Sequence, residues 1–183
     1  MNRIPRASES LARINTAIEA ASCARDRIML EVFRDHWWGE VTSDVDAIMA
    51  TMPTDRVSYQ FDGTNFLMAQ RVSFHEVAAA RQMYQSIADM NLPIAGPSEQ
   101  ERFAFADWGM TCEAIQTGIY PGRFFPGHRE PLDPQQLYLA QWHSFSSHPI
   151  DIARRLMLGE TVYTGSAIRV EPVDRSAIDI MLG

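Results

Sequence analysis

The order of helix-type and strand-type segments is the feature that most constrains the fold of this chain. Apolar residues recur at helical spacing in Leu11, Ile14, Ile18 and Ala21, and further helical faces follow as far as Ile87. The segments that come after them are typical of successive strands. Because helices come first and strands last, the pattern predicts an α+β architecture without βαβ crossovers, in which helices pack on one face of a curved antiparallel sheet.

Capping and turn residues place the individual segments. A helix over about 26–38 can be closed by Gly39, because glycine adopts the left-handed cap conformation without a steric clash. Capping-box patterns at Ser43 and Ser73 each predict the start of a helix, and Pro53 ends the first of them. Strands are predicted over 57–61, 102–107, 111–120, 137–145 and 156–163, with a weaker one near 168–170 and a long connection over 121–134.

Length and composition exclude several classes of protein. A chain of 183 residues with 46% hydrophobic residues predicts one folded domain rather than a disordered segment. All 16 basic residues are arginines, spread along a chain of net charge −7, so we expect no nucleic-acid partner. No apolar run reaches the roughly 18 residues that span a membrane. No secretory signal is visible either, which favours a cytoplasmic location without membrane contact.

Residue patterns that hold cofactors or metals are missing from the sequence. It has no glycine-rich dinucleotide fingerprint, no nucleophile elbow and no His-Glu-x-x-His pair. The phosphate-loop spacing between Gly122 and Gly127 lacks the required lysine. Cys23 and Cys112 have no metal-ligand spacing, which predicts free thiols in a reducing compartment. We therefore expect no metal site and no cofactor.

A series of short motifs occurs in an order that is found in a known family. The motifs are Asp35-His36-Trp37-Trp38 at a helix end, Ser43-Asp44-Val45-Asp46-Ala47-Ile48-Met49, the strand 57–61, Ser73-Phe74-His75-Glu76-Val77, Trp108-Gly109 before Glu113, Tyr120-Pro121-Gly122, His148-Pro149-Ile150-Asp151 and Gly159-Glu160-Thr161-Val162-Tyr163. In this order they resemble the SnoaL-like branch of the nuclear transport factor 2-like superfamily, over about residues 26–165.

This resemblance implies a cone-shaped barrel in which about three helices and a strongly bent antiparallel sheet enclose an apolar pocket, with an extra N-terminal helix. It divides the chain into a helical extension over 1–25, the cone-shaped domain over 26–170 and a tail over 171–183. Family members include polyketide cyclases, ketosteroid isomerases, epoxide hydrolases and dehydratases, besides non-catalytic binding modules, and many are dimers. The carboxylates of the isomerases are not carried over, because the matching positions hold Tyr59 and Gln141.

Strand parity supplies three candidate catalytic residues. If Gln141 faces the pocket, His143 lies on the same side of its strand and is either a general base or a core histidine satisfied by one hydrogen bond. Glu113 alternates with Ile115, so it is either a pocket acid or an ion-paired strand residue. Tyr59 is either an oxyanion donor or a buried phenol with a backbone partner.

Two functions remain open at this point. One is a cofactor-independent enzyme that uses acid–base chemistry on a small, apolar, cyclic substrate, by cyclisation, isomerisation, dehydration or hydration. The other is a non-catalytic homodimer that binds an apolar metabolite or a partner protein. In either case, the side chains expected to bind the small molecule are Phe33, Trp37, Phe61, Gln141, Phe145 and Tyr163.

Overall fold

Four helices precede the long strands, and a fifth follows them, in the computed structural model, which describes residues 3–63 and 71–183. The helices are α1 (Ala7–Ala20), α2 (Ala24–Thr42), α3 (Val45–Ala50), α4 (Val77–Ala88) and α5 (Ser176–Leu182). The strands are β1 (Ser58–Gly63), β2 (Val72–Phe74), β3 (Ser98–Ala106), β4 (Gly109–Pro121), β5 (Leu137–Asp151), β6 (Leu156–Met157) and β7 (Gly159–Pro172). Within the described ranges, no helix is both long enough and apolar enough to cross a membrane.

The strands form one curled, unclosed sheet in the order β2-β1-β7-β5-β4-β3, and the short β6 pairs with β5. Neighbouring strands are antiparallel except for β1 and β7, which run parallel. The predicted α+β class, with helices on a curved sheet, is confirmed. The sheet differs from the expected antiparallel barrel in its parallel pair and its open edges. No hairpin fixes the direction of β1 relative to β7, because most of the chain separates the two strands.

The helix α2 extends past its predicted end, because Gly39 is a packing position rather than a cap. A Cβ atom at Gly39 would lie 2.9 Å from Cγ1 of Ile48, so glycine lets α2 and α3 approach closely. The helix ends instead at Ser43, which adopts a left-handed φ of 55°. This close approach brings Thr51, at the end of α3, within hydrogen-bond distance of His36 in α2.

A second glycine lets β1 join the sheet beside β7. Gly159 has a φ of 135°, and a Cβ atom there would lie 2.0 Å from the carbonyl oxygen of Ser58. Only glycine combines this backbone conformation with such a close approach. The pairing that follows places Tyr59 opposite Glu160, so two polar side chains from distant parts of the sequence become neighbours.

The terminal helices are part of the packed core. Apolar residues of α5 share a buried cluster with Ile119 of β4 and Leu139 of β5. Ser10 of α1 donates a hydrogen bond to the Ser98 carbonyl of β3 at 2.8 Å. The segment 171–183 therefore completes β7 and then forms a helix against the sheet. Because this end of β4 and β5 is buried on both faces, these strands carry apolar residues on both sides.

Candidate active site

A cavity of about 270 Å³ lies between α2, α4 and the inner face of the sheet. Most of its wall is apolar and aromatic, and its polar groups face it from α2, α4, β4, β5 and β7. None of the described residues that line it is an arginine. The aromatic lining residues are Phe33, Trp37, Phe61, Tyr84, Tyr120, Phe124 and Trp142, and the polar ones are His36, Glu40, Gln116, Ser144, Ser146, His148, Glu160 and Thr164.

One face of α2 supplies both apolar and polar walls of the cavity. Phe33, His36, Trp37 and Glu40 all line it, and their spacing of three, one and three residues places them on a single helical stripe. Phe33 and Trp37 are buried, and the indole N–H of Trp37 donates to the Gly96 carbonyl at 3.2 Å. A histidine and a glutamate one helical turn apart therefore point into the cavity beside two aromatic rings.

A chain of hydrogen bonds fixes the tautomer of neutral His36. The Thr51 hydroxyl donates its one proton to the Ile48 carbonyl at 2.6 Å, so at 2.7 Å it can only accept from Nδ1 of His36. In neutral His36 the lone pair is then on Nε2, which accepts from the Tyr84 hydroxyl at 3.1 Å. The Tyr59 hydroxyl lies 2.9 Å from that of Tyr84 and 3.5 Å from Sδ of Met52. Because Tyr84 gives its one proton to His36, the shorter contact makes Tyr59 the donor to Tyr84. Every donor in this chain therefore points one way, from Tyr59 towards His36.

The same reasoning orients His148 on β5. Ser146 donates to the Cys112 carbonyl at 3.4 Å, so its oxygen accepts from Nε2 of His148 at 2.8 Å. The lone pair is left on Nδ1, which has no hydrogen-bond partner among the described residues and lies 3.8 Å from Oε2 of Glu160. Burial, reinforced by the charge that His36 can carry, lowers the pKa of His148 to about 3. His148 is therefore neutral at physiological pH.

Two carboxyl groups complete the polar end of the cavity. Oε1 of Glu40 lies 3.6 Å from Nε2 of His36, and one ligand atom each of His36, Glu40 and Glu160 lie within 4.8 Å of one another. Burial, reinforced by the negative charge of Glu40, raises the pKa of Glu160 well above its ordinary value. Burial likewise raises the pKa of Tyr59 and Tyr84, so both hydroxyls keep their protons at neutral pH.

Crystal structures of three bacterial proteins are similar to this chain. A candidate SnoaL-like polyketide cyclase from Shewanella putrefaciens CN-32 matches with a TM-score of 0.53 and 11% identity, covering 84% of this chain and 85% of its own. A candidate polyketide cyclase from Xanthomonas campestris pv. campestris matches with a TM-score of 0.51 and 14% identity, covering 76% of this chain and 91% of its own. A candidate SnoaL-like polyketide cyclase from Shewanella denitrificans OS-217 matches with a TM-score of 0.50 and 9% identity, covering 75% of this chain and 90% of its own.

The chain shares the fold of these SnoaL-like structures. The fold that the order of its sequence motifs predicted is thus confirmed. No known protein-family model matches the sequence, and no curated protein matches it. At these low identities the similarity establishes the fold, and the functional argument has to come from the cavity itself.

The SnoaL-like fold separates the predicted site residues into two groups. Phe33, Trp37 and Phe61 line the cavity. Tyr59 is fully buried behind Tyr84 and reaches the cavity through that residue's hydroxyl. The other five residues do not line it and lie on the opposite face of their strands: Glu113, Gln141, His143, Phe145 and Tyr163.

The expectation that Glu113 and His143 face the interior is wrong, because the parity of their strands is the reverse of the one assumed. The even-numbered residues of β4 and β5 point inward, and a shift of one residue exchanges the two faces of a strand completely. Glu113 is exposed and pairs with Arg102 at 3.1 Å, which is the ion-paired alternative. His143 is exposed, and it lies where the pairing of β5 with β7 shifts register.

The remaining outward-facing residues have their own surroundings. Gln141 donates to the Thr117 hydroxyl at 3.1 Å, on the face away from the cavity. Phe145 and Tyr163 are 43% and 46% exposed, and their ring centroids lie 6.4 Å apart. These two aromatic residues therefore form a surface patch rather than a pocket wall.

Sequence reasoning missed the polar cluster of the SnoaL-like cavity. From the sequence, His36 and Glu160 were noted only as members of the motifs Asp35-His36-Trp37-Trp38 and Gly159-Glu160-Thr161-Val162-Tyr163. The signal that could have found them is the spacing of His36 and Glu40, which repeats that of Phe33 and Trp37 on the apolar stripe of α2. Glu160 and His148 carry no such signal, because their meeting depends on the pairing of distant strands.

Proposed function

We propose that this chain is a small-molecule enzyme that transfers protons to and from a neutral, largely apolar substrate at the polar end of the cavity. The observation that carries the proposal is the oriented chain of hydrogen bonds from Tyr59 through Tyr84 to His36, at the polar end of a mostly apolar cavity. Donors held in a buried site interact strongly with charge that develops on a substrate, because little water screens them.

Tyr84 is the group that donates to a substrate oxygen. It lines the cavity, whereas Tyr59 lies behind it and donates to its hydroxyl, so Tyr59 is a positioning residue. When Tyr84 turns from Nε2 of His36 to a carbonyl or enolate oxygen, the cluster of His36, Glu40 and Glu160 faces the substrate without a competing donor. This cluster supplies the proton acceptor.

The charges of the cavity favour a neutral substrate. Its described lining includes two glutamates and no arginine, so nothing in it would pair with a phosphate or a carboxylate. Trp37 and Trp142 offer flat apolar surfaces within a volume of about 270 Å³. Cyclisation of a polyketide, as the names of the similar structures suggest, fits this chemistry, and so do isomerisation, dehydration and hydration of a small ring.

The test uses a reaction that reports a base and an oxyanion donor without knowledge of the natural substrate. In the Kemp elimination of a nitro-substituted benzisoxazole, a base removes the ring C–H proton, the N–O bond breaks, and a coloured cyanophenolate forms. The probe is neutral, planar and apolar. We expect the wild-type chain to accelerate the reaction, and Tyr84→Phe to lower kcat/KM at least about tenfold, because the donor to the phenolate oxygen is lost.

The matched control is Tyr163→Phe, which removes the same hydroxyl from the outer face, and we expect it to leave kcat/KM unchanged. Binding of the probe, followed by quenching of tryptophan fluorescence, separates catalysis from simple uptake. If the wild-type chain binds the probe but does not turn it over faster than an equal concentration of imidazole, the proposal fails. The non-catalytic binding module is then the better description.

We further propose that the chain forms a homodimer through the outer face of its sheet. Phe145 and Tyr163 are 43% and 46% exposed there, and an exposed apolar patch on a sheet is typical of a protein interface. Light scattering of the wild-type chain should give twice the mass of one chain, and Phe145→Asp should shift the protein towards the monomer. A wild-type monomer at every concentration would contradict this proposal.

A further inference from the structure

We propose that the polar end of the cavity is a binding site for one divalent transition-metal ion, with three ligands from α2 and β7 and a fourth from β5. The three ligands are His36, Glu40 and Glu160, which offer one atom each within 4.8 Å of one another. The fourth is Nδ1 of His148, 3.8 Å from Oε2 of Glu160. Only His36 and Glu40 are close in sequence, and Glu160 and His148 are far from them, so the lack of a linear ligand motif predicted no metal site.

The distances in this cluster are close to those that an ion requires. Nitrogen and oxygen ligands lie about 2.1 Å from zinc, so two ligands of one tetrahedral ion are about 3.4 Å apart. The three ligand atoms, within 4.8 Å of one another, therefore need to close by at most about 1.4 Å. Rotation of the Glu40 and Glu160 side chains is enough for a movement of that size.

His148 gives the independent sign that a ligand belongs here. Its side chain is only 4% exposed, and Nδ1 meets no hydrogen-bond donor in the described part of the chain. A buried lone pair without a partner is unfavourable. Nδ1 lies 3.8 Å from the carboxyl of Glu160, which is too far for a hydrogen bond. A cation between Nδ1 and that carboxyl would satisfy both.

Hydrogen bonds on the side away from the cavity orient both histidines as ligands. His36 donates its outer N–H to Thr51, and His148 donates to Ser146. Each of these hydroxyls in turn donates a hydrogen bond to a backbone carbonyl, so in the neutral imidazoles both lone pairs face inward. Histidines that bind metals are generally held in this way, by a hydrogen bond from the nitrogen that does not touch the ion.

The donor set selects the type of ion. Imidazole nitrogens together with carboxylates suit zinc and its neighbours in the transition series, whereas calcium and magnesium prefer oxygen ligands alone. The charges agree with a divalent ion, because two carboxylates balance it and no arginine among the described lining residues competes for them. The competing description is a single proton shared by Glu40 and Glu160.

The inference rests on the proposed function in one respect, namely the nature of the proton acceptor. An ion in this position can hold a water molecule whose pKa is lowered towards neutrality. As hydroxide, that water takes a proton from the substrate and becomes neutral water, while Tyr84 donates to the substrate oxygen. The proton acceptor is then the water molecule bound to the ion, and His36, Glu40 and Glu160 act as ligands of that ion.

The test is a titration of the full chain, freed of metals with a chelator, with Co²⁺ and then with Zn²⁺. We expect one Co²⁺ per chain, with visible absorption bands typical of nitrogen and oxygen ligands, and displacement of Co²⁺ by Zn²⁺. Calorimetry gives the affinity for Zn²⁺. Glu160→Gln should weaken binding at least tenfold, because it removes a charged ligand with little change of shape. Glu113→Gln, the matched change on the outer face, should leave binding unchanged.

Several outcomes would overturn the ion site. One is a wild-type chain that binds neither ion with a fixed stoichiometry, which is the result expected for a shared proton. Another is binding that survives in a folded Glu160→Gln chain and is lost in His143→Gln, which would place the ion on the surface. If Glu160→Gln does not fold, by circular dichroism, Glu40→Gln takes its place. Turnover of the benzisoxazole by the metal-free chain would support the proposed function and show that the ion takes no part in it. Ion binding without turnover would support the ion site and contradict the proposed function.

Discussion

At the scale of the residue, the behaviour of His36 depends on a hydroxyl that does not face the cavity. Thr51 donates to the Ile48 carbonyl and is therefore an acceptor for Nδ1 of His36. Without this acceptor the buried imidazole could carry its proton on either nitrogen. Thr51 thus decides which nitrogen of His36 offers a lone pair to the cavity, although it touches no substrate.

Replacement of Thr51 by valine tests this arrangement. Thr51→Val leaves the N–H of Nδ1 in buried His36 without its partner, which should lower the free energy of unfolding by about 1–3 kcal/mol. The measurement is urea denaturation followed by circular dichroism. Thr16→Val is the control, because the exposed Thr16 hydroxyl bonds only to a carbonyl of its own helix. Equal losses in the two variants would show that the His36 hydrogen bond adds nothing.

The two cysteines should differ in reactivity. Cys23 is exposed, whereas Cys112 is buried, and burial raises the pKa of Cys112 to about 12. Since the thiolate is the reactive form, iodoacetamide at pH 8 should modify one thiol per native chain, identified by mass spectrometry as Cys23. Both thiols should react in urea. Rapid modification of Cys112 in the native chain would mean that the inner face of β4 opens to solvent.

Some residues of the site could be predicted from sequence, and others could not. Phe33 and Trp37 were found because helical periodicity identifies the buried stripe of α2 directly. Glu113 and His143 were misplaced because strand alternation defines two faces without saying which is inner. Here Ile119 and Leu139 on the outer face are as buried as an inner-face residue, since α5 covers them. A pattern that is apolar on both faces removes the only signal of parity.

At the scale of the element, caps and glycines explain where sequence boundaries failed. The capping box at Ser43 begins a helix, but Asp44 accepts the capping hydrogen bond, and the box at Ser73 precedes a helix that begins only at Val77. Gly39 looked like a cap, yet it is an approach point between α2 and α3. A glycine that is needed for close packing and one that is needed for φ look identical in a sequence.

Gly159 provides a test at this scale. Gly159→Ala places a Cβ atom 2.0 Å from the Ser58 carbonyl oxygen at a φ of 135°, so β1 must move away from β7. We expect a loss of at least about 2 kcal/mol in unfolding free energy. In Gly165→Ala, on the same strand, the new Cβ atom would lie 3.2 Å from its nearest neighbour, and the backbone has no positive φ. This variant should lose less unfolding free energy. Equal effects would show that the approach at Gly159 does not hold β1 in place.

At the scale of the whole molecule, the order of helices and strands predicted the α+β class, and the order of motifs predicted the SnoaL-like fold. What neither could predict is which distant residues meet. Tyr59 and Glu160 are brought together by the parallel pairing of β1 with β7, and His36 of α2 meets Tyr84 of α4, a helix that packs against α3. Such contacts depend on three-dimensional packing, which local periodicity does not encode.

The central claim is that the chemistry of this chain lies inside the cavity, at His36, and not on the outer face, at His143. Its most direct test is the rate of benzisoxazole elimination by two matched variants, both shown by circular dichroism to be folded. The account predicts that His36→Gln lowers kcat/KM at least about tenfold, the lower range for loss of a positioned acid or base, while His143→Gln retains the wild-type value. The opposite result, full activity in His36→Gln and loss in His143→Gln, would contradict it.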